Sequence, residues 1–181
     1  NIGYDEINLF SVKPTNRSVL AEQDSGDELL FLNDVVIQRK VCENFPSCAV
    51  SVRLFVDDKL CQSFNADGVI VSSPIGSTAY SLSAGGAVLT PGLPAVIVTP
   101  ICAHSNARPI VLSDKCKICI ELGEKSHDCV VCVDGSYGFT LHGNARVAIT
   151  LSEKKLKLLR GSVDYYTRLN TKLLKWGDDN V

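Results

Sequence analysis

Short β-branched and apolar runs, cut at close intervals by turn formers, leave this chain little choice of fold class. Ala49 to Phe55 (AVSVRLF) alternates apolar and polar residues, so one side of a strand can enter a core while the other meets water. Asp57-Asp58 supplies a turn, and Leu60 to Phe64 resumes as the hairpin partner. Gly68 to Ser72 reads as a short buried strand broken by Pro74 and Gly76, and Ala95 to Pro100 as another. Pro109–Leu112, Lys117–Leu122, Cys129–Val133, Phe139–Leu141, Arg146–Leu151 and Lys155–Leu159 continue the series, with an Asp134-Gly135 turn inside it. Leu29 to Arg39 (LLFLNDVVIQR) is apolar and β-branched with a polar pair, Asn33-Asp34, at its centre.

Helical signals are few. Ala79 to Val88 is built of small residues and suits one or two turns. Tyr165, Leu169, Leu173 and Trp176 recur at spacings of three and four, with Ser162 or Asp164 as cap and Gly177 as stop. The segment Val12 to Glu28, with Pro14, Asn16, Ser25 and Gly26, is expected to be the least structured. The expected architecture is mainly β and sandwich-like: one domain over residues 1–181, with the terminal amphipathic helix packed back onto it.

A chain of 181 residues can bury a substantial core. Its net charge of −2 gives no electrostatic footprint for nucleic acid or an anionic membrane. No apolar run reaches the roughly 18 residues of a spanning helix, and no signal peptide is visible, so a cytoplasmic protein is expected. The chain begins at Asn1 and contains no methionine, which fits one part of a longer protein. Four of the eight cysteines form two CxxC pairs, Cys116 with Cys119 and Cys129 with Cys132, at zinc-ribbon spacing. The residues between them, Lys117-Ile118 and Val130-Val131, favour strand rather than a tight turn. On a strand, residues three apart face opposite ways. These cysteines are therefore expected to be free, small apolar residues and not metal ligands.

The chemistry concentrates in DGVIVSSPIGSTAYSLSAGG, Asp67 to Gly86. A buried strand stops at SSPIGST, where Ser72, Ser73, Ser77, Thr78, Tyr80, Ser81 and Ser83 crowd hydroxyls around a turn. Gly76 opens backbone conformations that other residues avoid and permits a ligand to come close. A helix starting near Thr78 would present free N–H groups to a polar or anionic ligand. Tyr80 can pack against a base or ribose. On composition alone the same string also reads as a serine-rich surface turn that caps a helix.

The whole string resembles the NAD kinase family, whose members carry DG-[LIV]-x-V-[ST]-[ST]-P-x-G-[ST]-T-A-Y-x-x-S-x-G-G. It matches at Asp67, Gly68, Ser72, Ser73, Pro74, Gly76, Ser77, Thr78, Ala79, Tyr80, Ser83, Gly85 and Gly86. The resemblance continues in order through LNDVVIQR (Leu32 to Arg39), TPICAHSNARPIVL (Thr99 to Leu112), VCVDGS (Val131 to Ser136) and YYTRLNTKLLKWG (Tyr165 to Gly177). It implies a β-rich C-terminal domain that carries most of the NAD contacts, beside an α/β domain with a GGDG motif. GGDG does not occur in this sequence. The general-base aspartate of that motif, and much of the contact with ATP and its Mg²⁺, are then expected outside this chain. No catalytic residue is assigned within it, and by itself it is expected to be inactive.

Roles follow position by position. Asn33 and Asp34 occupy the family's Asn-Glu motif, with Asp one methylene shorter than Glu. An amide both donates and accepts toward an adenine edge, and a carboxylate accepts from ribose hydroxyls. Thr78 and Tyr80 match positions that hold the adenosine part of NAD, and Ala79 and Ser83 line the same pocket. Asp67 matches a carboxylate that reaches NAD held mainly by a neighbouring subunit, which implies a homodimer or homotetramer. Cys102, with His104 beside it, falls near the nicotinamide side. Ile75, Ala87 and Ser136 depart from the usual Thr or Ser, Pro and Gln. The reaction implied is transfer of the ATP γ-phosphoryl group to the 2′-hydroxyl of NAD's adenosine ribose, giving NADP. The alternatives are a lipid kinase of the related diacylglycerol and sphingosine group, or a non-catalytic NAD(H)- or NADP(H)-binding or assembly domain.

Overall fold

The computed structural model of the protein describes residues 3–15, 28–40, 49–104, 106–124, 126, 128–159 and 161–174. Most of the segment expected to be least structured, residues 16–27, lies outside the described residues, as do Trp176 and Gly177. The chain forms two compact units.

The larger unit, Asn8–Lys155, is a β-sandwich of two six-stranded sheets. The strands of the chain are β1 (Tyr4–Pro14), β2 (Leu29–Phe31), β3 (Asp34–Arg39), β4 (Val50–Val56), β5 (Lys59–Ala66), β6 (Gly68–Ser72), β7 (Ala95–Ile101), β8 (Ile110–Ser113), β9 (Ile118–Leu122), β10 (Cys129–Val133), β11 (Ser136–Leu141) and β12 (Arg146–Leu159). The first sheet runs β2-β1-β12-β9-β4-β5 and the second β11-β10-β3-β6-β7-β8. Alternation fills the space between them. Val52 and Leu54 of β4, Ile118 and Ile120 of β9, Val35 and Ile37 of β3 and Val69 and Val71 of β6 all join one buried cluster.

The second sheet is also covered on its other face. Ile70 and Ile101 pack there with Val36, and Ile97 packs with Leu89 and Ala95. That double burial is why β6 and β7 are buried along their whole length and read as continuous apolar runs.

Three elements differ from the sequence expectations. The long strand β1 had no counterpart among them; its inner half carries the pattern, with Phe10 stacked on Phe31 of β2 at 5.5 Å. The two runs Arg146–Leu151 and Lys155–Leu159 are one strand, because the polar residues between them stay extended. The stretch Leu29–Arg39 is not one strand with a polar centre. It breaks at Leu32-Asn33, with β2 in the first sheet and β3 in the second.

The smaller unit holds Asn1–Ile7 and Leu156–Val181. Within it Lys157 Nζ lies 4.7 Å from the ring centre of Tyr4. Helix α2 (Tyr165–Leu169) is capped by Asp164, whose carboxylate accepts the Thr167 N–H at 3.0 Å and the Thr167 hydroxyl at 2.6 Å. It continues as a π-turn over Asn170–Leu174, and the half-buried positions are Tyr165, Leu169 and Leu173, as the spacing predicts. Among the described residues no helix is long and apolar enough to cross a membrane.

The break at Leu32-Asn33 is held from the loop after β6. Gly76 packs so tightly on it that a Cβ there would sit 2.0 Å from the Asn33 carbonyl oxygen. Backbone cannot yield as a side-chain tip does, so Gly76→Ala is expected to cost at least about 3 kcal/mol, the upper range for overpacking. The shift of the denaturant midpoint measures it; an unchanged midpoint contradicts the close contact.

Candidate functional site

Period-two geometry assigns each face of β3 a task. Val35 and Ile37 point into the sandwich, while Asp34, Val36 and Gln38 line a cavity of about 380 Å³ on the other face. Asn33 joins them from the bend before β3, and Ala79 and Tyr80 from the segment after β6. Cys132 of β10 and the turn residues Asp134 and Gly135 complete the wall.

The segment Ser73 to Pro94 forms this roof by folding over the sheet. A 3₁₀ turn (Gly76–Thr78) leads into a single helical turn, α1 (Tyr80–Ser83). Four of the crowded hydroxyls, those of Ser72, Ser73, Ser77 and Ser81, hold the roof in place. Ser72 Oγ and the Ser73 N–H both donate to the Asn33 carbonyl, at 3.1 and 2.9 Å. Ser73 Oγ donates to the Leu32 carbonyl and accepts the Gly76 N–H. Ser77 Oγ donates to the Pro74 carbonyl at 2.7 Å and accepts the Leu89 N–H at 2.9 Å, and Ser81 bonds Thr99 at 2.9 Å. Each of these four serines is buried, and each bond satisfies a polar group that would otherwise be costly.

Gly76 packs closely on the Asn33 backbone, where a Cβ would not fit. The helix expected near Thr78 is shorter than the sequence suggested and follows a 3₁₀ turn. It is four residues long, and the Ala79 N–H is already bonded to the Gly76 carbonyl.

What remains open to the cavity is a different set. Asp34 is buried, yet among the described residues nothing donates a hydrogen bond to its carboxylate. Burial, and then the neighbouring Asp134 carboxylate, push its carboxyl above the usual carboxylate range. Tyr80 keeps 42% of its surface exposed, a large aromatic left at the rim. Asp134 binds the bend itself: its carboxylate accepts the N–H groups of Leu32 (2.8 Å), Asn33 (2.7 Å) and Asp34 (3.1 Å).

Of the residues singled out from sequence, the structure therefore brings Asn33, Asp34, Ala79 and Tyr80 together in one cavity. Thr78 sits one residue before Ala79, half-buried, with its hydroxyl on the Ile75 carbonyl at 3.4 Å; Ser83 is exposed on α1. Asp67 and Cys102 lie elsewhere. Asp67 precedes β6, where Gly68 pairs with Gln38, at the opposite end of β3 from Asp34. Its carboxylate makes a 3.0 Å ion pair with Arg39. Cys102 follows β7 with φ of 48°, exposed, next to the Ile101 that accepts the Asp67 N–H. Val36, Gln38, Cys132, Asp134 and Gly135 were not foreseen. Alternation from Asp34 points to Val36 and Gln38; the other three are neighbours only through sheet pairing.

The cysteine pairs are split. Cys129 is buried in the sandwich, where burial pushes its thiol up to about 12, while Cys132 faces the cavity and Cys119 belongs to the first sheet. Among the described residues no three His, Cys, Asp or Glu side chains converge on a metal position.

This fold has known counterparts. Yeast NADH kinase, in a crystal structure complexed with NADH, superposes with a TM-score of 0.81 at 25% identity, covering 97% of this chain and 50% of that one. An NAD kinase from Archaeoglobus fulgidus, in complex with ATP, shares the fold at a TM-score of 0.68 and 24% identity, over 88% of this chain and 56% of that one. In sequence, the NAD kinase of Methanothermobacter thermautotrophicus is 34% identical over 91% of this chain, and that of Fusobacterium nucleatum 41% identical over 82%. The chain spans 57% and 55% of the length of those two relatives. The family pattern of the ATP-NAD kinase C-terminal domain matches residues 32–161, from the bend before β3 to just beyond β12. The chain therefore belongs to the ATP-NAD kinase C-terminal domain family.

Proposed function

We propose that this domain holds NAD in its outer-face cavity, as the substrate-binding part of an enzyme that phosphorylates the 2′-hydroxyl of NAD's adenosine ribose with ATP. The observation that carries this is the convergence of Asn33, Asp34, Ala79 and Tyr80, from two separate segments, on one cavity. The likeness to yeast NADH kinase complexed with NADH supports it.

Each residue has a chemistry suited to that ligand. The Asn33 amide donates and accepts at once, which suits the edge of adenine. Asp34 is a buried residue whose carboxylate lines the cavity with no donor among the described residues, and ribose hydroxyls supply donors. Tyr80 offers a ring face to the base, Ala79 leaves room beside it, and Thr78 and Ser83 place hydroxyls on either side of that turn. Asp67, at the far end of the sheet, serves a dinucleotide reaching from a neighbouring copy, in a homodimer or homotetramer in the cytoplasm, and Cys102 beside it serves the nicotinamide side.

Phosphoryl transfer depends mostly on positioning and charge stabilisation. The domain's share is to fix the ribose so that its 2′-hydroxyl meets a base supplied from outside this chain, since GGDG does not occur here. Mg²⁺ belongs with ATP in this scheme. Among the described residues no three His, Cys, Asp or Glu side chains gather to hold the ion, so the Mg²⁺ contacts are assigned to the part of the enzyme that binds ATP.

Calorimetric titration tests the assignment. In the full enzyme, Thr78→Ala and Tyr80→Ala should each weaken NAD binding more than ATP binding, the tyrosine by about tenfold or more, the value of one lost base–aromatic stack. Equal losses for both nucleotides, or none, contradict it. The chain incubated with NAD, ATP and Mg²⁺ should form no NADP.

Asp34→Asn separates function from stability. The folded-state pKa of Asp34 is raised above 3.8, so the folded form is penalised when the group is ionised. That penalty is absent below pH 3.8 and grows as pH rises through the folded value. Asp34→Asn should therefore weaken NAD binding yet stabilise the free protein at pH 7, with the gain vanishing toward pH 3. Thermal unfolding across that range reads it, and a destabilised variant at pH 7 contradicts the burial argument.

A further inference from the structure

We propose that Asp134 is a positioning residue for the dinucleotide site: its carboxylate holds the Leu32-Asn33-Asp34 bend in the one conformation that presents Asn33 and Asp34 to the cavity. The proposal rests on the functional reading above.

The bend is where a strand leaves one sheet for the other, so its N–H groups have no ladder partners of their own. Asp134 supplies them. One carboxylate oxygen accepts the Leu32 N–H at 2.8 Å; the other accepts Asn33 at 2.7 Å and Asp34 at 3.1 Å. The Asp134 N–H returns a bond to the Asp34 carbonyl at 3.0 Å. The residue is placed to do this by pairing, since Val133 of β10 lies opposite Val35 of β3.

Turn geometry alone does not call for a carboxylate here. Asp134 has φ of 47° and Gly135 φ of 77°, left-handed values that favour a two-residue hairpin turn. Asn satisfies that backbone as well as Asp does. Only a carboxylate provides acceptors on both oxygens for three converging donors. An amide in its place would turn an NH₂ group toward the Leu32 N–H or toward the other two.

A second hairpin supplies a control. Asp57 has φ of 48° in the β4–β5 turn of the first sheet, and its carboxylate accepts the Lys117 N–H at 2.9 Å, away from the cavity lining. Asp57→Asn thus tests the same turn chemistry and a similar bond without touching the bend.

The experiment titrates NAD onto the 181-residue chain and its Asp134→Asn, Asp134→Ala and Asp57→Asn variants, with amide NMR shifts of Leu32, Asn33 and Asp34 recorded alongside. Asp134→Asn should keep its fold, weaken NAD binding about tenfold, the scale of one lost charge-assisted hydrogen bond, and move the three amide protons upfield. Asp57→Asn should leave affinity and those shifts unchanged. Unchanged affinity in Asp134→Asn, or an equal loss in Asp57→Asn, would overturn the positioning role while the NAD site stood. Failure of the unsubstituted chain to bind NAD would sink the functional reading and this proposal with it. Should Asp134→Ala not fold, the Asn variant decides alone.

Discussion

Everything at the candidate site hangs on how a two-residue bend is hydrogen-bonded. Leu32 and Asn33 carry the chain from one sheet to the other, and their backbone groups belong to neither ladder. Unpaired, such groups cost free energy comparable to the bonds they lack. Two remote segments satisfy them. Ser72 and Ser73, at the end of β6, donate to the carbonyls, and Asp134, a hundred residues away, accepts the N–H groups. Gly76 fits against the same backbone because it has no Cβ. The signature loop and the Asn-Asp pair are thus parts of one construction, and neither holds its shape without the other.

Core and cavity share a strand. Alternation on β3 sends Val35 and Ile37 inward and leaves Asp34, Val36 and Gln38 outside, under the roof formed after β6. A register slip of one residue would exchange the two sets, placing a carboxylate in the sandwich and Val35 and Ile37 in the cavity. The pairing of β3 with both β6 and β10 protects against that slip. The same pairing places Cys132 and Asp134 on the cavity wall.

Asp34 shows how such a site is poised. Burial and the proximity of Asp134 both oppose its charge, and no described donor offsets them. A group of this kind destabilises the free domain and is relieved by a ligand that brings hydroxyls. Local consistency is broken at Asp34, as is expected at a functional residue.

Much of the fold was legible in sequence because strand alternation is local. AVSVRLF, the Asp57-Asp58 turn and the buried runs of β6 and β7 announced themselves, as did the helix spacing of Tyr165, Leu169 and Leu173. Family likeness added the positions Asn33, Asp34, Ala79 and Tyr80, which the structure gathers in one cavity. Composition misdirected in one respect. Ser72, Ser73, Ser77 and Ser81 looked like ligand-facing groups, because a sequence shows which donors exist but not which carbonyls lie within reach. Their partners, Leu32, Asn33, Leu89 and Thr99, are neighbours only after the sheets form. Asp134 is the clearest case: an ordinary hairpin aspartate by its neighbours in the chain, and the support of the bend by its neighbours in space. The sequence by itself determined a mainly β fold, which follows from local pattern, and through family likeness the set of candidate site residues. Which of those residues face the cavity, and what holds them there, was decided by tertiary structure, through strand register and hydrogen bonds that span the chain.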